Sequence, residues 1–253
     1  MMSDKTKQPF IIYGRQPVYE AMRSEHPVDQ VYIARETEKS GIRKILTLIE
    51  KRNIGIEYRP KAKLQQICGQ VLHQGIVALA DEYRYVSQKV MFDLISQQEN
   101  PFIIILDQIQ DPHNLGAIIR TAEIAGVTAL ILPLKGSALI NSTVAKTSAG
   151  AIFHSHIHYT EDLTAMMDAL KKRGLNLRAM VQQREQHLYQ ADLRGPLALV
   201  IGGEGSGVRK NIQKHCDGVL SIPGFGRLDS LNASVSAGIV MFEVIRQRWF
   251  SAQ

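Results

Sequence analysis

Hydrophobic and polar positions along this chain follow two regimes that change over near residue 100. In the first, short mixed segments alternate. RQPVYEAMRS (15–24) has helical spacing and VDQVYIA (28–34) reads as extended. GIRKILTLIEKRN (41–53) puts Ile42, Ile45, Leu46 and Ile49 on one helical face and basic residues on the others. IGIEYRP and QGIVALADEY read as strands on either side of KAKLQQICG. Residues 10–83 therefore form a small α/β module of roughly 75 residues, large enough for its own core. RYVSQKVMFDLISQQENP is polar at both ends and weakly patterned, so residues 84–99 are expected to be a linker.

In the second regime FIIILDQI, TALILP and LALVIGG are near-continuous apolar runs, the pattern of strands covered on both faces. NLGAIIRTAEIAG, NSTVAKTSAGA and EDLTAMMDALKKRG lie between them with helical patterns. This alternation predicts an α/β domain with a mostly parallel sheet over residues 100–253. Ligands bind at the carboxyl ends of such strands. Residues 1–9 are read as a disordered polar tail without the apolar region of a secretory signal.

Three polar insertions stand at those strand ends. In LDQIQDPHNLGAIIRTAEIAGV (106–127), Pro112 enforces a turn and Asn114 stands where a helix cap would. Arg120, among Ile118, Ile119, Ala122 and Ile124, calls for an anionic partner, either a carboxylate or a phosphate. In LVIGGEGSGVRKNI (199–212), four glycines surround Glu204. Val208 stands where a dinucleotide fingerprint needs its last glycine, and no GK[ST] follows, so the loop offers backbone to a ligand by another route. Glu204 could instead be an acid favoured by a helix start. In GRLDSLNASVSAGIVMFEVIRQRW (226–249), Ser230, Asn232, Ser234 and Ser236 crowd the entrance of a long apolar helix; a cap accounts for only one of them.

Composition narrows the function. The 253 residues are 45% hydrophobic and 21% charged, with no apolar run of membrane-spanning length. Two distant cysteines, Cys68 and Cys216, outside any CxxC pair, suit buried thiols in a cytoplasmic protein. His154, His156 and His158 would share one face of a strand; they are read as surface or interface histidines, and no metal is expected. The net charge is +6, and Lys39–Lys63 carries eight basic residues against Glu50 and Glu57. A polyanionic partner or a solvated helix face would each explain that run. Asn, Arg, Glu, Ser and Asn at strand ends, with no nucleophilic triad, suit a site that orients a polar substrate.

These stretches resemble the signature motifs of the SpoU/TrmH branch of the SPOUT RNA methyltransferases. DPHNLGAIIRTAEIAGV is similar to the first motif, LVIGGEGSGVR to the second and IPGFGRLDSLNASVSAGIVMFE to the third. YGRQPVYEAM and VLHQGIVA are similar to the family's RNA-binding module. Within the branch the resemblance is strongest to bacterial 23S rRNA guanosine 2′-O-methyltransferases. It implies methyl transfer from S-adenosylmethionine to a ribose 2′-hydroxyl, a homodimer, and no partnership with DNA or membrane. It further implies a deep trefoil knot in the C-terminal domain, which no strand pattern could foretell. The N-terminal module would be an L30e/L7Ae-like RNA binder, and the polyanion would be RNA, with 23S rRNA first. Asn114, Arg120, Glu204, Ser230 and Asn232 would form the active site, and Gly203, Ile222 and Leu231 would hold the cofactor. Another RNA target, including tRNA, and a non-catalytic rRNA assembly factor are the alternatives. The chain departs from the family pattern at Gly224, Arg227 and Asp229, and after SAGA (148–151).

Overall fold

The computed structural model describes residues 9–24, 26–182, 187–205, 207–228 and 230–250. Nearly all of the expected tail, and Asp229, lie outside that set. In chain order the elements are β1 (Phe10–Tyr13), α1 (Arg15–Arg23), β2 (Gln30–Ala34), α2 (Arg43–Lys51), β3 (Gly55–Arg59), α3 (Lys61–Cys68) and β4 (Ile76–Ala80). There follow α4 (Gln88–Ser96), β5 (Phe102–Asp107), α5 (Pro112–Ile124), β6 (Ala129–Pro133), α6 (Ser142–Thr147), β7 (Ile157–Thr160), α7 (Leu163–Lys171) and β8 (Asn176–Met180). The chain ends with β9 (Leu197–Gly202), α8 (Lys210–Lys214), β10 (Gly218–Leu220) and α9 (Ala233–Phe250).

Two compact units share these elements: residues 1–84 with 140–154, and residues 85–139 with 155–253. In the first, a four-stranded sheet has the order β1-β4-β2-β3. β2 and β3 are parallel, and β4 runs antiparallel to both β1 and β2. The carboxyl ends of β1, β2 and β3 therefore share one edge. Alternation along the strands gives each face a cluster. Ile12, Val31, Ile33, Ile76 and Ala78 pack under Val18, Met22, Ile45 and Ile49 of α1 and α2. Tyr13, Ala34 and Val77 pack with Leu64 of α3 on the other face.

The first unit also takes in residues 140–154, which the hydrophobic pattern assigns to the second domain. Tyr83 Oη donates to the Ile152 carbonyl (2.8 Å), Phe153 packs 5.0 Å from the His26 ring, and His154 Nε2 meets Glu20 Oε2 at 2.9 Å. Gly150, at φ 88°, lies so close to α1 that a Cβ there would approach Glu20 Cβ to 2.7 Å. Helical periodicity marked this segment as a helix, but it carries no information about which sheet the helix covers.

The second unit is built on a six-stranded, all-parallel sheet of order β10-β8-β9-β5-β6-β7. The chain runs from β5 outward through β6 and β7, then returns to build the other side. The topological switch point thus lies between β5 and β9, where such sheets bind ligands. α4 occupies most of the expected linker. Ser87 caps it by accepting the Val90 N–H, and Met91 and Ile95 are buried with Leu163, Met166, Met167 and Leu170. Only Met91 and Ile95 of its five apolar residues are buried, and a single such i, i+4 pair between polar flanks is a weak helical signal. Among the described residues no helix is long and apolar enough to cross a membrane.

The three alternating histidines part company. His154 belongs to the first unit, while His156 Nδ1 meets the Thr128 carbonyl (3.1 Å) and His158 Nδ1 the Val86 carbonyl (2.9 Å) in the second. Cys68 and Cys216 are free and half-buried; burial raises both thiols, Cys216 to about 12.

Two predictions follow from this packing. Met91→Ala removes a fully buried side chain, so it should destabilise the second unit by about 2–5 kcal/mol, read from denaturant melts. His26, stacked near Tyr83, is lowered to about 4 by burial and then by Arg84 and Arg52. The unfolded chain binds the proton more tightly, so this contribution is complete above pH 6.5 and is lost as pH falls towards 4. Protection factors for exchange in the first unit, taken relative to the intrinsic rate at each pH, should fall across that window, and His26→Phe should flatten the dependence.

Candidate active site

Asp107 ends an otherwise apolar strand and is fully buried. Its carboxylate accepts the Arg209 backbone N–H (2.9 Å) and is paired with the Arg209 guanidinium at 2.7 Å. Charge-assisted bonds of this kind can hold a carboxylate that has left water. The pair ties the far end of the glycine loop to the end of β5. The near end is fastened by backbone: Gly203 N donates to the Asp107 carbonyl (3.0 Å) and Gly207 N to the Gly203 carbonyl (3.1 Å). A Cβ on Gly203 would stand 2.3 Å from the Gln108 oxygen, and one on Gly202 would stand 2.0 Å from the Gly207 carbonyl carbon. Only glycine permits these crossings.

Glu204 is exposed on that loop. Asn114, in the first turn of α5, donates from Nδ2 to Glu204 Oε1 at 3.0 Å. The helix is capped by Asp111, which accepts the N–H groups of His113 and Asn114, so the cap reading of Asn114 is corrected. With the cap filled, the Asn114 amide is free to face the loop.

Asn232 arrives from the third insertion. Its Nδ2 donates to Asn114 Oδ1 (2.9 Å) and to Glu204 Oε1. Its Oδ1 accepts from Ser234 N (2.9 Å), Val235 N (3.3 Å) and Ser234 Oγ (2.6 Å). One amide therefore caps α9 and closes a three-residue cluster spanning three loops. The amide uses both of its ends, which explains two of the polar residues at the helix entrance.

The remaining expected residues lie outside this cluster. Arg120 is exposed on α5, and its side chain forms no hydrogen bond or ion pair with another described residue. Ser230 is exposed two positions before Asn232, and Leu231, beside it, is half-exposed. Ile222 follows β10 and is half-buried. Phe225 and Leu228 stand almost wholly in solvent between them. The sequence reading missed Asp107 and Arg209 as a pair; a lone acid closing an apolar strand was the available signal. An open groove of about 410 Å³ lies between Tyr189 and Phe250, but its two arginines already face acids: Arg194 pairs with Asp192 and Arg246 with Glu243.

Arg209→Ala would leave Asp107 buried with only a backbone donor. It should cost about 3–5 kcal/mol in melts and loosen the 203–209 loop, with Arg209→Lys intermediate. Asn232→Ala removes a cap worth about 1 kcal/mol as well as the cluster's central donor.

Residues 101–242 match the SpoU rRNA Methylase family, and residues 11–86 match the RNA 2′-O ribose methyltransferase substrate binding module. The 23S rRNA (guanosine-2′-O-)-methyltransferase RlmB of Xanthomonas campestris is 42% identical over 208 residues, 80% of this chain and 84% of that protein. YacO of Bacillus subtilis, named for the TrmH family of tRNA/rRNA methyltransferases, is 35% identical over 96% of this chain and 98% of its own. The crystal structure of AviRb from Streptomyces viridochromogenes with AdoMet superimposes with a TM-score of 0.80 at 24% identity, covering 96% of this chain and 91% of that one. The chain belongs to the SpoU family of S-adenosylmethionine-dependent RNA 2′-O-ribose methyltransferases.

Proposed function

We propose that this protein methylates the ribose 2′-hydroxyl of a guanosine in 23S rRNA, working as a cytoplasmic homodimer. The observation that carries the reading is the Asn114–Glu204–Asn232 cluster beside the glycine crossing at the sheet's switch point. RlmB proteins at 34–42% identity, such as those of Escherichia coli and Xanthomonas campestris, support the choice of substrate. Exposed Ile124, Val235, Phe242 and Trp249 on α5 and α9 supply apolar surface for a second copy. The tight passage of Gly202 and Gly203 past their neighbours is in keeping with a trefoil knot in this domain.

The close backbone approaches at Gly202 and Gly203, where a Cβ would collide, suit a cofactor held by main-chain groups at the carboxyl ends of β5, β9 and β10. Gly203, Ile222 and Leu231 would hold it through main-chain groups and an apolar slot. When bound, S-adenosylmethionine supplies an already reactive methyl group. The protein's task is then to align the 2′-oxygen and stabilise its negative charge. A guanidinium is a fork of five N–H donors with no acceptor, so Arg120 serves as a clamp on the target phosphate and the developing oxyanion rather than as a base. Asn114, Glu204, Ser230 and Asn232 position the ribose and neighbouring groups.

Mass-spectrometric mapping of 2′-O-methyl marks should find one 23S rRNA guanosine unmodified in cells lacking the gene; a missing tRNA mark instead would overturn the rRNA assignment. Arg120→Ala should lower kcat by about 10²–10³-fold while calorimetric S-adenosylmethionine affinity holds. Glu204→Gln keeps an oxygen to accept both amide donors but removes the charge. It should lower kcat and alter the pH–rate profile.

A further inference from the structure

We propose that the edge where β1, β2 and β3 end is the surface with which the first unit grips looped RNA. Gln74, Arg15 and Lys146 lie at its centre and contact phosphate and an adjoining unpaired base. This rests on the reading that the chain acts on RNA and goes beyond it by assigning the contact residues within the module.

Strand direction gathers the groups. Arg15 follows β1 by two residues, Arg35 follows β2, Arg59 ends β3 and Lys61 opens α3. Antiparallel β4 starts from the same edge, immediately after His73, Gln74 and Gly75. Gln74 adopts φ 55°, a left-handed conformation unusual for a residue with a side chain. Such strain persists only where surrounding contacts hold it, and it clusters at functional sites. Here Gln74 Oε1 accepts both Arg15 N and Lys146 Nζ at 3.1 Å. Arg15 Nε also donates to the Gln74 carbonyl (3.4 Å). The carboxamide oxygen is thus fully engaged. Gln74 is an exposed residue, and its NH₂ makes no bond to a described residue and stands beside two cations.

Among the described residues no carboxylate pairs with Arg15 or Lys146. Lys146 lies 5.8 Å from the Tyr13 ring centre, and burial lowers its pKa. A Cβ on Gly14 would come 2.4 Å from its ammonium, so the glycine keeps that place open. A partly desolvated cation attracts phosphate more strongly than a solvated one. Glu36 and Glu38 are also exposed along the β2–α2 connection, and Glu57 pairs with Arg59. Arg15, Arg35, Lys61, Lys63 and Lys146 leave the edge positive. Exposed Tyr58 and Leu72 add surface on which a splayed base can stack.

The basic run 39–63 is therefore not one surface. Arg52 caps the end of α1, donating to the carbonyls of Ala21 (2.9 Å), Ser24 (3.2 Å) and His26 (2.7 Å). Lys39, Arg43, Lys44 and Lys51 remain exposed on the α2 side with Glu50.

The test uses the full chain, with 23S rRNA from cells lacking the gene as probe. Gln74→Gly removes the carboxamide while relieving the left-handed strain, so it folds. It should raise KM for RNA about tenfold, with kcat and S-adenosylmethionine affinity unchanged. Lys146→Met should do the same and reduce the slope of log affinity against log salt by about one. Lys44→Gln, on α2, should change little. Wild-type KM in both Gln74→Gly and Lys146→Met, while the wild type still methylates RNA, overturns this surface; so does a loss confined to Lys44→Gln. A wild-type protein that methylates no RNA overturns the functional reading itself.

Discussion

A carboxylate with no access to water governs the architecture of the second unit. Asp107 closes an apolar strand at the sheet's switch point and finds its compensation 102 residues away, in the backbone and guanidinium of Arg209. A buried charge lacking such a partner would be strongly destabilising, so the pair dictates where the glycine loop must lie. Once that loop is pinned, Glu204 has a defined position, and α5 and α9 can present amides to it. The cluster is a consequence of this anchor more than of any local preference in its own residues.

The crowded entrance of α9 shows how economy of groups produces specificity. A cap needs only an oxygen, and Asn232 supplies one to two backbone N–H groups. Serine would do that equally well, but it could not also donate to Glu204 and Asn114 from the opposite end of a planar amide. Helix start and site geometry are thereby coupled: a shift in one moves the other. Asp111 performs the complementary service at α5, satisfying the first turn so that Asn114 faces the loop.

In the first unit the same separation of roles applies to charge. Arg52, one of eight basic residues in a short run, is consumed by the carbonyls at the end of α1. The strand ends gather cations from elsewhere in the sequence, including Lys146 from a segment that returns after β6. Net charge in a stretch of sequence is therefore a poor guide to the field at a surface, because hydrogen bonding removes some charges and topology imports others.

Much was legible from order along the chain. The apolar runs of β5, β6 and β9 and the amphipathic spacing of α1, α2, α5 and α7 specify a small α/β module followed by a parallel α/β domain, since burial on one or both faces leaves a local signature. Asn114, Glu204 and Asn232 could be named because polar side chains at apolar strand ends stand out. Tertiary structure alone decided that α4 is core rather than linker, that residues 140–154 pack with the first unit, and that Asp107 belongs with Arg209. Periodicity records that a face is hidden but not what hides it, and an ion pair joining distant residues leaves no trace in either neighbourhood.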